Sequence, residues 1–491
     1  VAAGKLGKGV IGGGRRVRRL RRRWLFLLCL VVGAFVFVIW RTSDYPTEPL
    51  DIFRVLGRRI VATHQSPAPP NKLGSPAVRH LIWITFDALR ADHLELYGYP
   101  LATAPLLTGW AKRAVVFDRC IAQSVCTHIS MPVLLFGSYY HHLSANQLSS
   151  DINGRTALPE LLRSRGYRTA LFSNHGALII ERHFDVVRDN GKLSEMEIAK
   201  EAVRWQLEND QRPTFLWIHL MAPHSPQPRS GPAYRRFLAA RQNPALFPPG
   251  YYDIPPRLDQ RARTLYAQPL WAAYDAAIGK SDRAINLFLR RLSALGVLRD
   301  SLVAISADHG EHMDEQPMLY HQRWTWRSLV HVPLIMLLPE SLQPVYGRSP
   351  RIKDVVRHID LAPTFLAAAL PGSRDSLADG ESLWPLLAGA PGPERLIFSD
   401  GVGNKLPYSR SIESGHFVLW RIDGLARPEY RLFDLTNVPE ETTDVQDRYP
   451  QEFRRLKTLL DPLCPPPTAF DLREEHLTPE QIGRLKSLGY L

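Results

Sequence analysis

Residues suited to anion chemistry recur at several points in this 491-residue chain. Asp87 closes the apolar run His80-Leu81-Ile82-Trp83-Ile84-Thr85-Phe86, and Asp308-His309-Gly310-Glu311 follows a second run, Ser301 to Ser306. Carboxylate oxygens with an imidazole are a donor set for a divalent cation, and a glycine between them frees the backbone to bring adjacent ligands onto one ion. The stretch Ser124 to Gly137 leads small polar residues and His128 straight into an apolar run, as a reactive loop feeding a buried helix would. Its hydroxyls and the Cys126 thiol are the candidate nucleophiles. The competing reading is a helix N-terminus capped by Thr127 or Ser130. His219 and His224 bracket Pro223 after another apolar run, and His321 lies in a polar loop. Each histidine alone reads as a surface or satisfied core residue. Together they form a set of proton donors and charge stabilisers.

Those residues need elements to present them. Short β-rich runs at His80–Phe86, Tyr167–Phe172, Phe215–His219, Ser301–Ser306 and Val332–Leu337 have the composition of strands buried in a parallel sheet. Helical patterns at Leu158–Arg165, Leu265–Leu295 and Asp360–Leu370 alternate with them, which predicts an α/β core. In such open sheets, sites form at the C-terminal ends of the strands, where Asp87 and Asp308 fall. The Pro-, Arg- and Tyr-rich stretch from Ser225 to about Pro256 reads as a surface insertion shaping a substrate mouth. After about Pro391, short strands around Phe417–Trp420 and Tyr430–Phe433 and a helix to Leu460 predict a small C-terminal α+β subdomain.

Composition narrows the function classes. The net charge is +13, but Lys5, Lys8, Arg15, Arg16, Arg18, Arg19, Arg21, Arg22 and Arg23 carry nine of those charges with no acid among them. The rest of the chain is nearly balanced, so nucleic-acid binding loses its main support. Trp24 to Trp40 then runs without a charge, long enough as a helix, at about 26 Å, to approach the thickness of a bilayer core. Flanking Arg23 and Arg41 and the terminal tryptophans suit the interface. The reading is a basic cytoplasmic segment 1–23, a single membrane span 24–40, a linker 41–77, a catalytic domain 78–390 and a subdomain 391–491, with the body periplasmic or extracellular. A cleaved signal peptide competes with that span. Four cysteines make no disulfide framework, although Cys120 and Cys126 are candidates to pair.

Over the span from about Arg79 to Leu491 the chain resembles the sulfatase-like branch of the alkaline phosphatase superfamily. Ile84-Thr85-Phe86-Asp87 to His93 with Tyr97-Gly98-Tyr99 is similar to the first metal strand of that family. Thr127-His128-Ile129-Ser130-Met131 with Leu134-Leu135-Phe136-Gly137 falls on its nucleophile motif, and Asp308-His309-Gly310-Glu311 on its second metal motif. Val332-Pro333-Leu334-Ile335, His358 to Thr364 and the tail Leu485 to Tyr490 match later signposts. The resemblance implies an alkaline-phosphatase-like sandwich with a mostly parallel central sheet. It implies a divalent ion (Ca, Mg, Mn or Zn) held by Asp87, Thr127, Asp308 and His309. Thr127 would be the nucleophile, with His224 and His321 contacting the anion or leaving group. The substrate would be an anionic sulfate or phosphate ester on a glycan or lipid.

The chain also departs from family sulfatases, which use a Cys or Ser oxidised to formylglycine in a motif ending Pro-Ser-Arg. Thr127 cannot form that aldehyde, Ile129 and Met131 replace Pro and Arg, and the alternative register uses Cys126. Ala88 replaces the second acid of the first metal strand, and Asn174-His175-Gly176 replaces Lys-Trp-His. A threonine nucleophile is the pattern of phosphoethanolamine transferases and lipoteichoic acid synthases, which act on envelope lipids and glycans. Hydrolysis, such a transfer, and a degenerate non-catalytic role in binding anionic glycans are thus the three readings.

Overall fold

A computed structural model describes residues 78–143, 156–176, 178–224, 227–243, 260–313, 321, 323–343, 351–370, 379–392, 394–401, 407–436 and 441–464. The predicted span Trp24–Trp40, its basic flank, the linker and the tail motif Leu485–Tyr490 lie outside those residues. Among the described residues, no helix is long and apolar enough to cross a membrane.

Alternation of apolar runs with helices produces an eight-stranded sheet. Its strands are β1 (His80–Phe86), β2 (Val115–Ile121), β3 (Arg168–Ser173), β4 (Val186–Asp189), β5 (Thr214–Leu220), β6 (Ser301–Ala307), β7 (His331–Leu337) and β8 (Arg351–Arg357). Their order is β4-β3-β5-β1-β6-β7-β2-β8. All neighbours run parallel except β7, which is antiparallel to both β6 and β2. The central strands β5, β1 and β6 are buried along their whole length, which explains why they read as unbroken apolar runs rather than alternating ones.

Helices cover the sheet: α1 (Pro105–Ala111), α2 (Thr127–Phe136), α3 (Leu158–Ser164), α4 (Glu195–Glu208), α5 (Gly231–Arg241), α6 (Gln260–Ala294) and α7 (Leu361–Ala369). Ser194 starts α4 with a capping box to Glu197, which satisfies two otherwise orphaned groups. The stretch expected as a surface insertion contains α5. Its Phe237 and Arg241 are buried, and Phe237 clusters with Tyr99, Leu101 and Ala272. This anchoring, by one apolar ring and one ion-paired arginine a helical turn apart, was hidden by the surrounding Pro and Arg residues.

A second, antiparallel sheet consists of β9 (Ile397–Asp400), β10 (Tyr408–Ser414), β11 (Phe417–Asp423) and β12 (Glu429–Asp434) in the order β12-β11-β10-β9. Helix α8 (Pro450–Leu460) packs Leu456 and Leu460 against Phe398, Ile412, Leu419 and Leu432. The edge of this sheet is stitched to the segment between β2 and α2. Asp400 N–H donates to Gln123 O at 3.0 Å, Ser399 Oγ donates to Ala122 O at 2.7 Å, and Ser124 and Asp400 form a parallel bridge.

Candidate active site

Register places the first two acids side by side. Phe86 pairs with Ala307 across β1 and β6, so Asp87 and Asp308 emerge at the same level from the C-terminal ends of adjacent parallel strands. Asp308 N–H donates to Phe86 O at 3.2 Å and Asp87 N–H to Leu220 O at 2.8 Å, which extends the ladder to the carboxylates themselves. Asp87, Asp308 and His309 offer ligand atoms that all lie within 4.8 Å of one another, and all three are fully buried. His309 Nδ1 faces its neighbour Gly310 O at 2.7 Å; donation there leaves Nε2 as the lone-pair nitrogen toward the acids. Gly310 is required by close packing: a Cβ there would lie 2.0 Å from Ser328 O.

The stretch carrying the candidate nucleophiles meets this cluster from the other side. Thr127 is the first residue of α2, and its Oγ1 lies 3.5 Å from both Asp87 oxygens and 3.2 Å from His309 Nε2. The stretch does open a helix, as the competing reading had it, but neither Thr127 nor Ser130 is its cap. Cys126 occupies the cap position with extended backbone and no side-chain cap bond, and its carbonyl takes the first helical hydrogen bonds from Ile129 and Ser130. Cys126 and Cys120 do not pair; both are buried free thiols. Burial pushes the Cys126 thiol up to about 12, so it carries a proton at neutral pH. Met131, at the position of the family arginine, belongs to the buried apolar core and offers an anion no charge.

The structure gathers both predicted histidines near this cluster. His321 Nδ1 lies 2.9 Å from Glu311 Oε1, and its ring centroid is 4.5 Å from that of His309 and 5.0 Å from that of His224. Burial favours a protonated Glu311, but the charge and hydrogen bond of His321, with His224 and His309, outweigh it and hold the carboxyl below its usual range.

His219, already a candidate from the sequence, reaches the site together with His128 and His175. His219 Nε2 is 3.6 Å from Asp87 Oδ2, and its Nδ1 faces Thr85 Oγ1 at 2.9 Å, which also accepts Trp217 Nε1–H. Burial lowers His219, but its contact with Asp87 and the charges of Asp308 and Asp87 win and raise it. For Asp87 the balance is complementary: burial raises it, and His224, His219 and His309 hold it below the carboxylate range. His128 and His175, with ring centroids 6.1 Å apart, are kept neutral mainly by burial, His128 being lowered to about 4 and His175 well below its ordinary value. The β-pairing that brings His219 beside Asp87 has no signature in the spacing of the sequence. For His128, adjacency to Thr127 was a usable signal.

The donor set fits a divalent cation. Asp308 Oδ2 is buried without a hydrogen-bond partner, an arrangement that is costly unless something positive sits beside it. The chain provides two carboxylates, an imidazole lone pair and a hydroxyl converging on one spot.

Comparison with known proteins adds an independent line. A family model described as Sulfatase matches residues 79–371. The ulvan-active sulfatase of Formosa agariphila is 24% identical over 428 residues, spanning 75% of this chain and 79% of that protein. Among solved structures, a protein in complex with its substrate D-glucosamine-2-N,6-O-disulfate superimposes with a TM-score of 0.61 at 18% identity, covering 79% of this chain and 97% of that one. The phosphonate monoester hydrolase of Agrobacterium radiobacter gives 0.59 at 18% identity, covering 78% and 95%. At those identities the structural matches speak for the fold.

Proposed function

Since the chain belongs to the sulfatase family, we propose that it is a metal-dependent ester hydrolase in which Thr127 attacks the sulfur or phosphorus of an anionic ester. The observation that carries this reading is the position of Thr127 Oγ1, between the Asp87 carboxylate and His309 Nε2. Asp87, Asp308, His309 and Thr127 would hold a Ca, Mg, Mn or Zn ion. When bound, such an ion lowers the pKa of the hydroxyl and neutralises the ester oxygens. Thr127 then forms a covalent ester with the transferred group, which water resolves. His321, oriented through Nδ1 by Glu311, presents Nε2 toward the cluster as proton donor to the leaving alcohol, and His224 lies beside it.

Threonine cannot be oxidised to an aldehyde, so this chemistry is alkoxide attack rather than attack by a hydrated formylglycine. The Cys126 register is disfavoured because Cys126 takes the helix-cap position while Thr127 is the residue whose side chain reaches Asp87 and His309. A sulfated or phosphorylated glycan is the proposed substrate class, supported by the ulvan activity named for the Formosa relative. The phosphonate monoester hydrolase neighbour keeps phosphorus esters within the proposal. Anchoring by residues 24–40, with the enzyme body outside the membrane, is part of the same reading.

The test is turnover of aryl sulfate, aryl phosphate and aryl phosphonate esters by metal-loaded protein. Thr127→Ala is expected to abolish activity with an unchanged fold by circular dichroism, and Cys126→Ala to retain it. The opposite pattern would transfer the nucleophile to Cys126.

A further inference from the structure

We infer that Tyr274, on the long helix α6, is a positioning residue for the cation-binding turn Asp87-Ala88. This rests on the reading of Asp87 as a metal ligand. Ala88 stands at φ +62°, the left-handed region that an alanine enters at a cost because its Cβ crowds the backbone. Something must hold it there, and the hydrogen bonds around it say what. Ala88 N–H donates to Asp308 Oδ1 at 3.1 Å, and Ala88 O accepts the Tyr274 hydroxyl at 2.6 Å. The same hydroxyl oxygen accepts Arg90 N–H at 2.9 Å. One buried phenol therefore spans the turn from residue 88 to residue 90 and ties both of its ends to α6.

The tie continues in both directions. The Arg90 guanidinium donates to Glu311 O at 3.1 Å and lies over Trp271, also on α6, at 5.1 Å. The next residue on the helix, Asp275, accepts from His93 Nδ1, Tyr99 Oη and Arg241 Nε at 2.9, 2.9 and 3.0 Å. Arg241 is the last residue of α5, so the insertion helix and the cation turn are clamped to neighbouring positions of one rigid helix. Position 88, where family sulfatases carry a second acid, here contributes its backbone instead of a side chain.

The experiment uses the full chain as wild type, Tyr274→Phe, Ala88→Gly and the double variant. Mn2+, Ca2+, Mg2+ and Zn2+ are titrated singly by calorimetry, and amide exchange of residues 87–92 is followed without metal. Tyr274→Phe keeps the ring and removes only the tether. It should weaken binding of the preferred ion roughly tenfold, the lower end of what loss of an outer hydrogen bond costs a metal site. It should also speed exchange at Ala88 and Arg90 in the metal-free protein, with little change in the apo melting temperature. Glycine enters the left-handed region freely, so Ala88→Gly added to Tyr274→Phe should recover roughly threefold of the lost affinity. Wild-type affinity and exchange in Tyr274→Phe would overturn the inference. So would a collapse of the apo melting temperature or a loss that glycine does not rescue, since either assigns the tyrosine to general packing. A wild-type chain that binds none of the four ions would sink the metal reading itself, and this inference with it.

Discussion

The proposed cation site predicts a reversal of sign in Asp308→Asn. Without metal, two carboxylates with oxygens within 4.8 Å face each other in a fully buried pocket. At an effective dielectric of about 20 their repulsion is on the order of 3 kcal/mol. Asparagine retains the Oδ1 acceptor used by Ala88 N–H and His309 N–H at 3.1 and 2.9 Å, and it replaces Oδ2, which has no hydrogen-bond partner, with a neutral amide. The variant should therefore be more stable than wild type in chelator. Unfolding a domain of roughly 400 residues carries an entropy near 0.8 kcal/mol/K, so 3 kcal/mol corresponds to a rise of about 3–4 °C before discounting for the nearby histidines. Metal reverses the order. An ion present at 1,000 times its Kd adds about 4.1 kcal/mol, or about 5 °C, to wild type and nothing to a variant that has lost the ligand. Scanning calorimetry of both proteins, in chelator and across a metal titration, reads all four values. A variant that keeps the wild-type metal shift, or that melts several degrees lower in chelator, would refute the assignment of these acids to one cation.

Glu311→Gln should lower kcat more than KM, because the amide weakens the orientation of the His321 ring while the other groups around the cluster stay in place; equal loss in a Glu311→Gln, His321→Ala double variant and in His321→Ala alone would show that the glutamate acts through the histidine. Acid should destabilise the protein through His80, which burial and then Arg79 lower to about 3, and whose Nδ1 lies 2.8 Å from Thr214 Oγ1 and 3.1 Å from Gln206 Nε2. Below about pH 6.5 the unfolded chain takes up a proton there that the folded one refuses, so stability falls with pH toward 3, by about 2 kcal/mol at pH 5 from this residue. In urea melts the gap between wild type and His80→Asn, which keeps an acceptor in place of Nδ1, should narrow by that amount from pH 7 to pH 5; a constant gap would refute the buried neutral imidazole.

The central strands were readable because burial on both faces leaves an apolar run bounded by polar ends, and β1 and β6 fall where those runs predict them. Helix α6 likewise follows its periodicity, extending five residues earlier than the Leu265 start expected. Strand direction and neighbourhood were not readable. Nothing in Val332–Leu337 announces that β7 runs antiparallel, and nothing in Phe215–His219 announces that β5 lies against β1. That adjacency decides which histidines surround Asp87: His219 was a candidate from the sequence, but its place beside Asp87, and that of His175 next to it, follow only from the pairing. Tyr274 was invisible for a related reason. A tyrosine on an amphipathic helix looks like core packing until the backbone it touches is known to be left-handed.

The stitches between the second sheet and the segment Ala122–Ser124 bear on when the protein becomes competent during synthesis. The loop that delivers Thr127 finds its partners Ser399 and Asp400 only after some 270 further residues have left the ribosome. The central sheet can assemble earlier around β1, β5 and β6, but the segment that leads into Thr127 gains these contacts later. A nascent or truncated chain lacking β9 would lack the contacts that fix the segment before Thr127, so on the proposed mechanism turnover requires synthesis to have passed Asp400.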